Sequence, residues 1–423
     1  MLNRQLAPDF KQVYTINFIQ PTQQALDNQI PVYTVYSGEQ DLVRIEFIFN
    51  NVNWNVEKPL QAIAVSAMLN NGTSKLSAKD IAEQIDFYGA FFQTEYVQDH
   101  STVTLYTLNK HLASVLPIVK NVLADSQFPQ AEIDIYVQNQ KQKLQVNLQK
   151  NDILARKEFA HALFGDTAYG VDIQAKHYDE LKREDLVNYF KSAYAPDNCT
   201  IVVSGKFEEA SFHLLNEQFG RNWELGKAVK NKFNFSLLPR TTIYKDRPDA
   251  LQSAIRIGKL AINRTHDDFP GLQILNTVLG GYFGSRLMNN IREDKGYTYG
   301  IGSGISSLQD AGYLFIATEV GAEVCADALT EIYKEIELLK NDLVREEELT
   351  LVKNYMLGSM LGSLENVFSH ADKFKNIHLF GLGYDYYENY IKKVKSITAE
   401  EIRALAIKYF NKEDFTEVVV GKK

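Results

Sequence analysis

Cysteine is nearly absent from this sequence. Only Cys199 and Cys325 occur in 423 residues, and neither lies in a CxxC or another metal-ligand spacing. We therefore expect both thiols to be small buried apolar groups, which fits a reducing compartment.

Long apolar runs and an excess of positive charge are also missing. No stretch reaches the roughly 20 apolar residues that a helix needs to span a bilayer, and the first residues contain no signal-peptide core. Lys and Arg total 45 against 53 Asp and Glu, a net charge of -8. This balance disfavours a nucleic-acid or anionic-membrane partner. We expect a cytoplasmic protein, or a periplasmic one if a signal peptide has been removed.

Histidine pairs at metal-binding spacing are absent as well. The eight histidines are His100, His111, His161, His177, His213, His266, His370 and His378. No two are three or four residues apart, which excludes a two-histidine grip on one helix. Glu158 and His161 form a lone ExxH, a pattern more typical of a surface contact than of a ligand set. Gly280, Gly281 and Gly284 do not form a phosphate loop, since no Lys-Ser/Thr follows them.

An internal repeat is the clearest positive feature of the chain. The segment YAPDNCTIVVSGK, ending at Lys206, resembles FNKEDFTEVVVGK, ending at Lys422. Their shared glycines, Gly205 and Gly421, are 216 residues apart (421 minus 205). The same spacing relates two further pairs of landmarks: Glu132 to Glu348, and Phe164-Gly165 to Phe380-Gly381. The chain is therefore predicted to contain two copies of one fold.

The fold class follows from the periodicity within each copy. Apolar stripes at helical spacing lie near residues 110–124 and 323–340, and β-branched and aromatic strands lie at 103–108 and 312–320. We predict an α+β protein with two homologous domains, each a mostly antiparallel sheet with helices packed on it. The predicted N-terminal domain is 1–219, the linker is 220–240 and the C-terminal domain is 241–423.

One polar stretch, FGSRLMNNIREDKGYTY at 283–299, is not explained by core packing. Ser285 is predicted to cap a short helix that ends near Arg292, and Gly296 permits a left-handed turn. A strand should follow, with Tyr297, Tyr299 and Ile301 on one face. Arg292 and Tyr299 would then converge as two hydrogen-bond donors. An arginine in a last helical turn and a tyrosine in a strand are also ordinary structural choices.

The run SRL, then IRE, then KG, then a tyrosine resembles the second half of the pitrilysin/insulinase zinc peptidase family, in its mitochondrial processing peptidase-like branch. The resemblance implies the LuxS/processing-peptidase-like fold. It also implies that Arg292 and Tyr299 are the family's R/Y pair, which contacts a bound peptide across a chamber from the metal.

The first copy departs from that family at the zinc site. Members carry HxxEH on the first helix, where two histidines bind zinc and the glutamate activates water. Anchoring AIAVSAMLNNGT on Gly72-Thr73 places Ile63, Ser66 and Ala67 at the three motif positions. On the long helix no acid occurs between residues 134 and 152, so the distal ligand is missing too. We expect no metal or other cofactor in this chain, and zinc in a partner.

The resemblance thus implies a non-catalytic, substrate-binding subunit of a heterodimeric zinc metallopeptidase. Its partner would be a homologous HxxEH-bearing subunit, and its substrate a peptide or unfolded protein. The chain would be inert alone, where a homodimer could form. Two other functions stay open: a structural subunit, as in the core proteins of the respiratory cytochrome bc complex, and a stand-alone peptide-binding protein.

Overall fold

The structure is a computed structural model that describes residues 13, 15–38 and 40–422. Residues 1–12, 14, 39 and 423 of the predicted domain ranges lie outside it. Within the described part, two β-sheets are each associated with helices, and no helix is long and apolar enough to cross a membrane.

The first half builds a six-stranded sheet in the order β1-β2-β6-β3-β5-β4. Only β2 and β6 pair in parallel; the other neighbours are antiparallel. The strands are β1 (Thr22–Ala25), β2 (Pro31–Tyr36), β3 (Leu42–Asn50), β4 (Phe91–Tyr96), β5 (His100–Leu108) and β6 (Cys199–Gly205). The helices are α1 (Gln61–Met68), α2 (Ala78–Phe87), α3 (Leu112–Asp125), α4 (Gln130–Asn147), α5 (Asn151–Phe164), α6 (Ala175–Asp179), α7 (Arg183–Ala193) and α8 (Glu209–Phe219).

The second half builds a five-stranded sheet in the order β7-β11-β8-β10-β9, again with one parallel pair, β7 with β11. Its strands are β7 (Thr241–Asp246), β8 (Gln252–Ala261), β9 (Thr298–Ser307), β10 (Gly312–Gly321) and β11 (Thr416–Gly421). Its α-helices are α9 (Phe269–Leu279), α10 (Cys325–Asn341), α11 (Glu346–Gly362), α12 (Val367–His378), α13 (Asp385–Ser396) and α14 (Ala399–Tyr409). A π-helix spans Met288–Asp294, and short 3₁₀ turns span Asn109–His111, Pro196–Asn198, Ala322–Val324 and Lys412–Asp414.

The predicted α+β class with mostly antiparallel sheets is confirmed. The apolar stripe of α3 faces the first core, where Val115, Leu116 and Val119 are fully buried. The apolar stripe of α10 faces the second core, where Ile332 and Ile336 are buried. Periodicity locates these helices because their packing is one-sided.

Two equivalent helices are exchanged between the halves. Helix α5 lies against β8 and β11 of the second sheet, and Phe159 is buried there with Val418 and Val420. Helix α12 lies against β2 and β6 of the first sheet, and Phe374 packs there with Val202. Each sheet is thus buried on both faces only when the other half is present.

A buried network of charges ties α12 to the first sheet. Arg44 of β3 is 2.9 Å from the Asp372 carboxylate and 3.1 Å from that of Glu46, while Lys375 is 2.5 Å from Glu46 and 2.9 Å from Asp372. Because Arg44 and Glu46 are almost fully buried, each cation needs its partner to offset the cost of leaving water. The network therefore sets how the two halves are placed.

Residues 220–240, the predicted linker, contain no helix or ladder strand, only a bridge between Lys230 and Val52. Phe233 and Phe235 pack against the cluster around α5. The domain boundaries at 219 and 241 remain our proposal.

Candidate functional site

The stretch 283–299 forms a π-helical turn instead of the predicted α-helix with a serine cap. Lys295 donates its backbone N–H to the Asn290 carbonyl five residues back, which is the π pattern. Ser285 is buried, and within the described part of the chain its Oγ has no hydrogen-bond partner, so it does not cap the helix. The predicted inward positions are confirmed, because Leu287, Met288 and Ile291 are buried.

Side chains from two neighbouring helices hold this turn in place. Arg286 pairs with both carboxylate oxygens of Glu348 on α11, at 2.8 and 2.9 Å. Asn290 donates to Glu331 and Glu335 on α10, at 2.9 and 2.7 Å. A bidentate arginine–carboxylate pair fixes orientation as well as distance. The turn is therefore anchored to α10 and α11 by two residues that precede Arg292.

A β-bulge turns Tyr299 outward. Thr298 and Ile301 pair with Val320 and Thr318, so β9 has one residue more than β10 between these pairs. The Thr298 hydroxyl donates to the Glu319 carbonyl at 2.6 Å, next to the bulge. The prediction that Tyr297, Tyr299 and Ile301 share one face is wrong, because the extra residue breaks the two-residue period. Ile301 is 5% exposed, whereas Tyr299 is 93% exposed.

The structure brings Arg292 and Tyr299 together, as the sequence predicted. The Arg292 Cζ lies 5.5 Å from the centre of the Tyr299 ring and 4.7 Å from the centre of the Phe283 ring. Its Nη1 lies 3.3 Å from the Glu293 carboxylate. Gly296 adopts the predicted left-handed conformation, with φ of +67°, between the helix and the strand.

Phe283 is the member of this group that the sequence reasoning did not single out. It is 67% exposed and stacks under the guanidinium, so a large apolar ring is kept at the surface. Cation–π contacts of this kind restrain the arginine by about 0.5–1 kcal/mol at exposed sites. An aromatic residue beside the glycines at 281 and 284 was the available signal.

Gly280, at the end of α9, is packed closely against β9. A Cβ on Gly280 would lie 2.6 Å from Ser303 Oγ and 2.7 Å from Ser303 N, whereas one on Gly300 would meet nothing within 4 Å. Ser303 also donates its N–H to the Gly280 carbonyl at 3.0 Å. This contact fixes the end of α9 against β9.

The three positions aligned with HxxEH lie on α1, as predicted. Ile63 is half-buried, Ser66 is 2% exposed and Ala67 is exposed. None of these side chains offers a zinc ligand of the family's type or a general base. Across the residues that the structure describes, no three His, Cys, Asp or Glu side chains are grouped so that they could hold a metal ion.

The other candidate ligands have structural partners. Glu158 pairs with Lys245 at 3.4 Å, and His161 Nδ1 lies 3.1 Å from the Gly170 carbonyl. Cys199 and Cys325 are buried and are not joined in a disulfide, and burial raises the pKa of the Cys199 thiol. These residues therefore do not form a site.

Two α+β units, with an exposed Tyr299 beside a half-buried Arg292 in the second, are the features to compare with known proteins. Residues 180–356 match the family model described as the peptidase M16 inactive domain. These residues are thus similar to the peptidase M16 inactive domain, and the resemblance inferred from the sequence is confirmed.

Similar proteins have matching lengths and folds. The uncharacterized zinc protease YmxG of Bacillus subtilis is 27% identical over 364 residues, which cover 84% of this chain and 86% of that protein. The crystal structure of a peptidase M16 inactive domain from Pseudomonas fluorescens superimposes with a TM-score of 0.85 at 22% identity, covering 95% of this chain and 98% of that one. A protease from Helicobacter pylori gives the same TM-score at 16% identity, covering 96% and 100%.

Proposed function

We propose that this chain is the substrate-binding subunit of a two-chain zinc metallopeptidase, and that Arg292 and Tyr299 hold the peptide. A homologous subunit with an intact HxxEH helix would supply the zinc. The observation that carries the proposal is the contrast between the two halves: the zinc positions hold Ile63, Ser66 and Ala67, while the arginine–tyrosine pair is intact and anchored.

The geometry of the pair supports this role. The Tyr299 hydroxyl is on an almost fully exposed side chain, and the Arg292 guanidinium carries five N–H donors. Its ion pair with Glu293 and its two ring contacts leave donors for peptide carbonyls while restraining the side chain. Donors positioned before the substrate binds avoid an entropic cost when it does.

The proposed mechanism divides the work between two chains. Zinc in the partner would supply the activated water that attacks the peptide carbonyl. In this chain, Arg292 and Tyr299 would donate hydrogen bonds to the peptide and keep the scissile bond in place. Removing one such preorganised donor in other enzymes lowers kcat by about 10²–10³-fold.

Reconstitution tests the proposal directly. This chain and a separately purified HxxEH relative from the same organism are assayed on peptides, each alone and then mixed. We expect cleavage only in the mixture, and loss of most of it when the chain carries Arg292→Ala with Tyr299→Phe. Arg345→Ala, at the exposed start of α11, is the matched control and should keep full activity.

Each alternative has a different outcome in this experiment. A stand-alone peptide-binding protein would bind peptides without restoring cleavage in any mixture. A structural subunit would form a complex whose properties do not change in the double variant. Cleavage by the isolated chain would contradict the proposal.

A further inference from the structure

A polar cavity lies in the same half of the chain as Arg292 and Tyr299. Its volume is about 350 Å³, and its walls come from α9, α11, α12, α13 and the loop after β8. Cavities of this size suit a small group or the end of a chain rather than a folded surface.

The cavity has positive charge without a compensating acid in its wall. Arg264 and Lys373 line it, and among the described residues no aspartate or glutamate does. Burial lowers the pKa of Lys373, and the nearby Asp372 only partly opposes this effect. The Asp372 carboxylate is itself engaged with Arg44 and Lys375. A half-buried ammonium without a paired acid is stabilised when an anion binds next to it.

The Arg264 side chain is held in place, but not all of its hydrogen-bond donors have an acceptor among the described residues. Its guanidinium lies 4.5 Å from the centre of the Phe380 ring, and Nη1 donates to the Asn376 carbonyl at 2.5 Å. Its Nε is buried and has no acceptor in the described part of the chain. An unpaired buried donor on a charged group is costly, so it indicates a missing acceptor.

Neutral donors complete the lining. The hydroxyls of Thr277 and Ser359 and those of three tyrosines on α13 surround the cavity. Burial raises the pKa of Tyr386, Tyr387 and Tyr390, so their hydroxyls keep their protons. Tyr387 donates to the Lys373 carbonyl at 2.8 Å, which fixes one side of the wall.

The cavity is linked to the arginine–tyrosine pair by two aromatic contacts that involve neighbouring residues of the chain. Tyr355, in its wall, contacts Tyr282 with ring centres 4.9 Å apart and ring planes tilted by 32°. Phe283, the next residue, lies under Arg292.

We infer that this cavity binds the C-terminal carboxylate of the peptide that lies across Arg292 and Tyr299, an inference that rests on the proposed function. Lys373 and the free N–H donors of Arg264 would pair with the carboxylate, and the hydroxyls of Ser359, Tyr386 and Tyr390 would donate to its remaining lone pairs. Free phosphate is also an oxyanion that could pair with these cations, so the experiment has to distinguish phosphate from the peptide carboxylate.

The test compares two forms of one peptide on the full chain. A short unstructured peptide labelled at its N terminus is prepared with a free C-terminal carboxylate and as the C-terminal amide, and binding is followed by fluorescence anisotropy. We expect the amide to bind about 10-fold more weakly, as fits loss of a charge-assisted contact. Lys373→Gln and Arg264→Gln should each reduce that preference, whereas Lys392→Gln, an exposed lysine on the same helix as the tyrosines, should keep it.

Inorganic phosphate and the Arg292→Ala variant separate the remaining outcomes. Phosphate should displace the free acid only weakly, and Arg292→Ala should weaken both peptides equally. The inference would be overturned if the acid did not bind, or if the acid and the amide bound with equal affinity. It would also be overturned if both cavity variants kept the preference for the acid, or if phosphate bound as tightly as the acid. A preference that persists while Arg292→Ala has no effect would overturn the proposed function but leave the carboxylate site standing.

Discussion

Arg286 and Glu348 face each other with both guanidinium–carboxylate contacts made, at 2.8 and 2.9 Å. Arg286 lies two residues before the π-helix, and its ion pair ties that segment to α11. Both side chains are largely shielded from water. Arg292 lies six residues further on. The position of the proposed peptide-binding donors therefore depends on a contact that is itself away from the peptide.

Removing Glu348 should destabilise the protein. Glu348→Ala leaves the Arg286 charge without its partner, and we expect the free energy of unfolding in urea to fall by about 1–3 kcal/mol. Glu347→Ala, its exposed neighbour on α11, should change it by less than about 0.5 kcal/mol. Equal effects of the two substitutions would show that the pair contributes nothing.

Gly280→Ala should impair the site through the backbone. The added methyl would lie within 3 Å of Ser303 Oγ, Ser303 N and Leu287 Cδ1, so α9 and β9 must separate. We expect lower peptide cleavage in the reconstituted enzyme and a lower Tm. Gly358→Ala is the control, because a Cβ there meets nothing within 4 Å and alanine favours the α-helix by about 0.5–1 kcal/mol. It should raise the Tm slightly and leave cleavage unchanged.

The exchanged helix α5 should be essential for stability. Phe159 is 2% exposed, and its ring occupies the space that Gly258 of β8 leaves open. Phe159→Ala creates a cavity between the halves, and we expect the free energy of unfolding to fall by about 3–5 kcal/mol. Phe87→Ala, at an 81% exposed position, removes the same atoms with little effect. A loss below about 1 kcal/mol for Phe159→Ala would contradict the packing described here.

Stability should fall as the pH falls from 6.5 towards 4, because of His100. Burial, with the charge of Lys375 as a smaller cause, lowers the pKa of His100 from 6.5 to about 4. Between these values the unfolded chain binds a proton that the folded protein excludes, so stability is full above pH 6.5 and is lost as pH falls through 4. The difference of 6.5 minus 4 corresponds to about 3 kcal/mol.

Urea unfolding at several pH values measures this effect. His100→Gln should flatten the pH dependence in that range relative to the parent protein, while His213→Gln, at an exposed position, should not. Burial also lowers the pKa of His370 and His378, so part of the slope remains in both variants. Identical slopes for the parent and His100→Gln would contradict the prediction.

Much of the fold was predictable because it depends on local periodicity. The apolar stripes of α3 and α10 and the matching closing strands β6 and β11 follow from residues close in sequence. The π-helix was not predictable, since one extra residue per turn leaves an apolar pattern that still fits an α-helix. The Tyr299 bulge was missed for the same reason: an alternating pattern cannot show where a neighbouring strand is one residue shorter.

Residue identities and spacing were enough to give the α+β class, to predict an internal duplication without the family's zinc ligands, and to identify Arg292 and Tyr299 as candidate donors. These conclusions need only residue identities and their spacing. Tertiary structure decided that α5 and α12 cover each other's sheets, that Phe283 joins the pair, and that Arg264 and Lys373 share one cavity. Such relationships depend on which surfaces meet across hundreds of residues, and no local pattern encodes them.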